Sequence, residues 1–313
     1  MHIQFLGTGA GMPSKSRNVT SIALSLLDEI GEVWLFDCGE ATQHQIMYTA
    51  IRPRRVRNIF VTHMHGDHIY GLPGFLGSRS FLGGEEPLTV YGPKGIKQFI
   101  EMAIRLSKTH LNYELNVVEI EEGVVLDTES FTVYAAKLEH VIDCYGYRIE
   151  QKPLPGQLLI ERAKSLGVPK GPLLRELKNG IDITLEDGRI VRSSDVVEAP
   201  KDGFVVTVLG DTRFCQTSIA LSDKADIVIH EATFNQENFQ LAYDYGHATN
   251  VEAARVAKNA KAKNVILTHI SSRFLDSDLV DLLGEAQAEF TNAFIANDFD
   301  KFEWKQEILT QIR

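Results

Sequence analysis

Short apolar runs that stop abruptly at small or polar residues punctuate this chain. The clearest are Val33 to Phe36, Ile59 to Thr62, Phe131 to Leu138, Phe204 to Leu209, Ile227 to Ile229 and Val265 to Thr268. Their length and β-branched or aromatic content predict buried strands. Between them, apolar residues recur at intervals of three and four. Residues Glu40 to Ile51, Ile96 to Leu106, Val251 to Ala260 and Leu279 to Phe290 therefore read as amphipathic helices. Thr249 or Asn250 is placed to cap the third. The alternation predicts an α/β layered fold.

One stretch breaks the pattern. Residues 151–198 hold four of the ten prolines (Pro153, Pro155, Pro169 and Pro172) and five glycines. From Gln151 to Arg175 the charges are Lys152, Arg162, Lys164, Lys170 and Arg175 against the single acid Glu161. Strand-like sequence resumes on both sides. The expected organisation is one domain over 1–313 with 151–198 as an inserted basic arm, whose plainer reading is a surface excursion.

Composition narrows the classes. The 313 residues carry 32 Lys and Arg against 42 Asp and Glu, a net charge of −10. That balance argues against indiscriminate coating of DNA or binding to anionic membranes, but it averages over local patches. Cys38, Cys144 and Cys215 form no CxxC pair, which excludes a disulfide framework and suits a reducing compartment. Neither a leader pattern nor an apolar run long enough to span a bilayer is visible, so the expectation is a soluble, cytoplasmic protein.

The chemistry concentrates in His63-Met64-His65-Gly66-Asp67-His68, directly after the strand-like run ending at Thr62. Three of only ten histidines fall in one hexapeptide, beside an Asp. Imidazole and carboxylate suit zinc and related divalent ions, and Gly66 is expected to permit a tight turn. His140, Asp211 and His269 follow other expected strands, where α/β sheets gather ligands. Five His and two Asp exceed one tetrahedral ion and suit two cations with a bridging carboxylate.

The HxHxDH pattern with later His, Asp and His resembles the metallo-β-lactamase superfamily. That resemblance implies a four-layer αβ/βα sandwich, with His63, His65 and His140 on one zinc, Asp67, His68 and His269 on a second, and Asp211 bridging. Finer motifs are similar to those of the ribonuclease Z family. They are Pro13-Ser14-Lys15-Ser16-Arg17-Asn18, His230-Glu231-Ala232-Thr233, His247-Ala248-Thr249 and Gly167-Val168-Pro169-Lys170-Gly171-Pro172. Ala248 stands where that family usually has Ser. The family resemblance implies a flexible arm and cleavage of precursor tRNA just beyond the discriminator nucleotide. It also implies two Zn2+ per subunit, with Mn2+ a substitute, and a homodimer; no membrane or DNA partner is expected. Asp67 would serve the nucleophile, His247 would be the general acid, and Glu231 would orient it. Lys15, Arg17, Gly167, Pro169, Lys170, Gly171, Pro172 and Arg273 would meet substrate. His230 is expected to be a buried structural histidine, and Arg52, Arg54, Arg55 and Arg57 form either a phosphate surface or a solvated face. A small-molecule hydrolase of the same superfamily would need the metals but not the arm, and a metal-stabilised RNA-binding subunit would bind precursor tRNA without cutting it.

Overall fold

The computed structural model describes residues 1–312. Two mixed sheets carry the larger of two compact units, which comprises 1–128, 132–149 and 205–313. The first sheet has eight strands in the order Ile308–Ile312, Lys301–Lys305, His2–Gly7, Ser21–Leu26, Glu32–Phe36, Val56–Phe60, Leu88–Gly92 and Leu115–Glu119. Its pairings are antiparallel as far as Glu32–Phe36 and parallel beyond it. The second has seven, in the order Ala293–Ile295, Asn264–Thr268, Ile227–Glu231, Val205–Val208, Tyr145–Gln151, Phe131–Lys137 and Gly123–Asp127. Parallel register joins Val205–Val208, Ile227–Glu231, Asn264–Thr268 and Ala293–Ile295.

The consecutive apolar runs are explained by burial on both faces. In Glu32–Phe36, Val33 and Leu35 pack with Leu72, Phe75, Leu76 and Ile100 of the helices on the outer face. Trp34 and Phe36 point the other way, into a stack where Phe60 lies 5.2 Å from Phe36, 5.0 Å from Tyr91 and 5.3 Å from Tyr147 between ring centroids. Tyr147, from the second sheet, donates its hydroxyl to Val61 O at 2.6 Å, which stitches the sheets together beside the coming site. The outer face of the second sheet is covered by Ala253, Ala254, Ala257, Leu282 and Ala286 over Val228, Val265 and Leu267.

The expected strands all form, with ends shifted by a few residues. Three helices match closely, at Ile96–Ser107, Asn250–Asn259 and Leu279–Glu289. Thr249 caps the second through a reciprocal capping box with Glu252. The helix expected over Glu40–Ile51 is corrected to Thr42–Ile46. Ala41 starts it in a left-handed conformation, and the Thr49 hydroxyl takes the Ile46 carbonyl at 2.8 Å. Pro53 then keeps Arg52 extended and opens a separate 3-10 turn, Pro53–Arg55.

The second unit comprises Glu129–Phe131 with Glu150–Phe204. It spans the proline-rich stretch and has its own core of Ala163, Val168, Leu177, Ile183, Leu185, Val191 and Val196. Helices Ile160–Ser165 and Pro172–Lys178 flank an exposed turn in which Gly167 and Gly171 take φ of 87° and 140°, values that disfavour any side chain. Pro169, Lys170 and Pro172 are exposed on the same turn, and Pro172 occupies the first turn of its helix. Among the described residues, no helix is long and apolar enough to cross a membrane.

Candidate metal centre

The loops that leave the carboxyl ends of five strands converge on one point. The Val56–Phe60 strand delivers His63, His65, Asp67 and His68. The strands ending at Lys137, Val208, Glu231 and Thr268 deliver His140, Asp211, Glu231 and His269. Two groups of donors form, His63 with His65, His140 and Asp211, and Asp67 with His68 and His269; a third, Asp211 with His247 and His269, overlaps both. Asp211 also reaches the second group, 3.6 Å from His68 Nε2 and 3.4 Å from His269 Nε2. Within each group the donor atoms lie within 4.8 Å of one another. Gly66 does not adopt a left-handed conformation. A Cβ there would come within 2.2 Å of the Tyr70 ring, so any other residue would displace that exposed side chain.

Hydrogen-bond accounting tests whether these residues suit cations. His63 Nε2 lies 3.0 Å from His65 Nδ1, His140 Nε2 lies 3.2 Å from the same atom, and His68 Nε2 lies 3.3 Å from His269 Nε2. The other nitrogens are committed outward. His140 Nδ1 donates to Gly246 O at 2.7 Å, and His68 Nδ1 donates to Asp37 Oδ2 at 2.7 Å. Thr62 Oγ1 donates its single proton to Asp37 Oδ2 at 2.9 Å, so His63 Nδ1, 3.0 Å away, must be the donor to Thr62. His63, His68 and His140 therefore turn bare Nε2 lone pairs inward. Tetrahedral zinc at about 2.0–2.1 Å from each nitrogen separates its donors by roughly 3.3 Å, close to the spacings seen here. The donor set fits two divalent cations.

Electrostatics agree at three of the histidines; burial would lower the fourth, His68, but Asp211 and Asp37 lift it well above its ordinary value, so it gives up a proton on ligation. Burial pulls the His63, His65 and His140 imidazoles down, which favours the neutral form that ligation requires. Burial would raise Asp67 and Asp211, but the surrounding histidines outweigh it and hold both carboxyls far below their usual range. Asp67 Oδ2 also accepts the Gly11 backbone N–H at 2.7 Å. Burial lowers His247, yet Glu231 and then Asp211 overcome it and lift the imidazole to about 9. His247 Nδ1 donates to Glu231 Oε1 at 2.9 Å. The three cysteines are buried and free, and burial pushes the Cys38 thiol up to about 12.

A cleft of about 510 Å³ opens over the cluster, lined by His65, Asp67, Asp211, His247, Tyr70 and Arg273, among others. The Arg273 guanidinium carbon sits 4.7 Å from the centroid of the Phe234 ring. Lys15 is exposed. Arg17 is only 5% exposed, and its guanidinium bonds Thr8 Oγ1 at 2.6 Å, Ala296 O at 2.8 Å and Asn297 Oδ1 at 2.7 Å. That placement braces the loop and leaves Lys15 as the freer cation of the pair. His230 is buried, with Nδ1 donating to Glu231 O at 2.7 Å. Arg52, Arg54 and Arg55 are exposed, while Arg57 pairs with Glu86 at 3.1 Å. Asp37 and Thr233, which hold His68 and His269, were not among the expected site residues.

This fold and donor set define a metal-dependent hydrolase of the metallo-β-lactamase fold. The chain resembles a metallo-β-lactamase fold protein, YhfI from Bacillus subtilis, at 21% identity and a TM-score of 0.65, with 96% of this chain and 98% of that one aligned. Human tRNase Z, short form, aligns over 97% of this chain and 99% of its own at 27% identity and a TM-score of 0.68. Residues 1–154 match the family described as Anti-Pycsar protein Apyc1. Ribonuclease Z of Geobacillus kaustophilus is 55% identical over 302 residues, which cover 96% of this chain and 98% of that protein. The chain belongs to the ribonuclease Z family.

Proposed function

We propose that this protein is a cytoplasmic endoribonuclease that removes the 3′ trailer of precursor tRNA, cutting after the discriminator nucleotide. The products are a tRNA 3′-hydroxyl and a trailer with a 5′-phosphate. The observation that carries the chemistry is the His247–Glu231 pair beside a seven-donor cluster at the floor of one cleft. A ribose 3′-oxygen is a poor leaving group and needs a proton, and a two-cation site alone supplies none.

In this reading His63, His65 and His140 would hold one Zn2+, Asp67, His68 and His269 would hold the other, and Asp211 would serve both; Mn2+ would be a substitute. When bound, the cations supply Lewis acidity that makes water a better nucleophile and offsets charge on the phosphate. Asp67, fixed by the Gly11 N–H, orients the attacking water and accepts its proton. Water attacks phosphorus, the bond to the 3′-oxygen breaks, and that oxygen takes the proton from His247 Nε2. Glu231 keeps Nδ1 occupied, so Nε2 is the atom presented to the cleft.

Substrate capture falls to groups outside the cluster. Arg273, in the cleft lining, takes a phosphate at the site, and the exposed Lys15 takes another. Residues 151–198 act as a flexible tRNA-binding arm, with Gly167, Pro169, Lys170, Gly171 and Pro172 at its turn. In this unit Arg162, Lys170, Arg175 and Lys178 are exposed cations for the phosphate backbone. In a homodimer, one subunit's arm presents tRNA to the other subunit's site.

The test is cleavage of precursor tRNA carrying a trailer, with the cut mapped to the nucleotide and Asp67→Ala and chelated protein as controls. No cut by metal-loaded protein refutes the proposal. Arm removal tests capture separately. Gln151 N–H donates to Phe204 O at 2.9 Å, so the chain enters and leaves this unit at adjacent points and a short glycine linker closes the gap. The excised protein should lose tRNA cleavage and keep hydrolysis of bis(p-nitrophenyl) phosphate. Equal loss on both would show that the arm supports folding.

A further inference from the structure

We propose that the Thr233 hydroxyl is a positioning group that ties the His269 imidazole to the acid His247 through Glu231, so that one side chain sets both a metal-facing nitrogen and the direction of the proton donor. The inference rests on the reading of His247 as general acid.

Glu231 is buried, and each of its oxygens receives two donors. Thr212 N–H at 3.0 Å and His247 Nδ1 at 2.9 Å reach Oε1; Thr233 N–H at 3.1 Å and Thr233 Oγ1 at 2.6 Å reach Oε2. A carboxylate only accepts, so the Thr233 hydroxyl spends its one proton on Glu231. Its lone pairs then face His269 Nδ1 at 2.8 Å, and that nitrogen must be the donor. In the neutral imidazole that ligation requires, His269 Nε2 is then bare, 3.4 Å from both Asp67 Oδ2 and Asp211 Oδ2.

Two further facts make the hydroxyl hard to replace. Thr233 is 5% exposed, which leaves little access for a substituting water. His269 sits at φ 56°, a left-handed backbone that a histidine adopts only when its surroundings hold it there. Thr233 Oγ1 is 3.4 Å from His247 Nδ1, whose closer acceptor is Glu231, so the hydroxyl acts on His247 through the carboxylate. The other group of donors repeats the device, since Thr62 stands between Asp37 and His63 in the same sense.

The test uses full-length, zinc-loaded Thr233→Val and Thr233→Ser. Valine keeps the shape and removes the hydroxyl; serine keeps the hydroxyl. Thr233→Val should cut precursor tRNA about 10- to 100-fold more slowly. Its loss on bis(p-nitrophenyl) phosphate, whose leaving group departs without a proton, should be several-fold smaller. It should also yield one zinc equivalent to a chelator at lower concentration, and nitrogen NMR of histidine-labelled protein should show a changed His269 tautomer. Thr233→Ser should restore most of each property. Unchanged rates and metal retention in Thr233→Val, equal loss on both substrates, or a serine variant as impaired as valine would each overturn the inference. Wild-type protein that fails to cut precursor tRNA would refute the functional reading instead, and the metal-release and NMR comparisons would still decide the role of Thr233.

Discussion

Exchanging Asp37 for Asn should unload one cation without unfolding the protein. Asp37 is 2% exposed and accepts three hydrogen bonds, from Thr62 N–H at 2.7 Å, the Thr62 hydroxyl at 2.9 Å and His68 Nδ1 at 2.7 Å. An asparagine whose oxygen keeps the Thr62 N–H turns its NH2 toward His68. That amide can only donate, so the His68 proton must move to Nε2, the atom 3.3 Å from His269 Nε2 and 3.5 Å from Asp67 Oδ2. The ligand lone pair is lost from the second group. Partners in this position are worth about 10- to 100-fold in metal affinity, or about 1.4–2.8 kcal/mol. Asn tolerates the φ of 57° at this position better than most residues, so the backbone should survive. Asp37→Ala is a poorer probe because it leaves three buried donors unmatched, at about 1–3 kcal/mol each. The assay is zinc reconstitution followed by titration with chelators of graded strength, with far-UV circular dichroism as the check on folding. One equivalent should leave early and one late. Wild-type retention of both, in a folded protein, would refute the tautomer argument; simultaneous loss of both from a folded protein would show that Thr62, which also loses its Asp37 Oδ2 acceptor, releases His63 as well.

Arg17→Ala should lower stability by about 2–4 kcal/mol, because three acceptors lose a charged donor. A shifted urea midpoint separates that bracing role from substrate contact, which would change only kcat/KM. Phe60→Ala should cost about 3–5 kcal/mol, since its ring packs against Trp34, Phe36, Tyr91 and Tyr147 at 5.0–5.6 Å; urea unfolding of the metal-free protein measures it. The metal-free protein should also lose stability as pH rises. The His247 imidazole is lifted from 6.5 to about 9, so its contribution is complete below 6.5 and vanishes as pH rises through about 9. His68, pulled down by burial but raised further by Asp211 and Asp37, adds in the same direction. Melting temperatures across that window should fall, and Glu231→Gln should make the fall shallower; an unchanged slope would remove the Glu231 pair from the account.

The strands were legible because consecutive burial leaves a mark that no turn or loop copies. Helices were legible where the apolar stripe was long, as in Ile96–Ser107, and misread at Glu40–Ile51, where the stripe continues past the helix end at Ile46, beyond which the Thr49 hydroxyl donates back to the Ile46 carbonyl and Arg52 is extended. The metal cluster was legible because histidine is scarce in this chain and its positions follow strand ends. Asp37 gave no such signal, and Thr233 stood out only as the last residue of His230-Glu231-Ala232-Thr233. Asp and Thr are common residues, and each acts through a neighbour by completing its hydrogen bonds. Both groups of donors nevertheless solve one problem, by two related arrangements. A neutral imidazole in a buried site has two nitrogens and one proton, and only an outward acceptor decides which nitrogen faces the metal. A carboxylate placed directly against a ligand, as Asp37 is against His68, settles the matter with charge. A threonine inserted between carboxylate and imidazole, at His63 and His269, fixes the same tautomer while holding the negative charge one hydroxyl further away. The second arrangement leaves the Glu231 carboxylate free to take His247 as well. The position of that hydroxyl thus lets one buried acid serve a ligand and a proton donor at once.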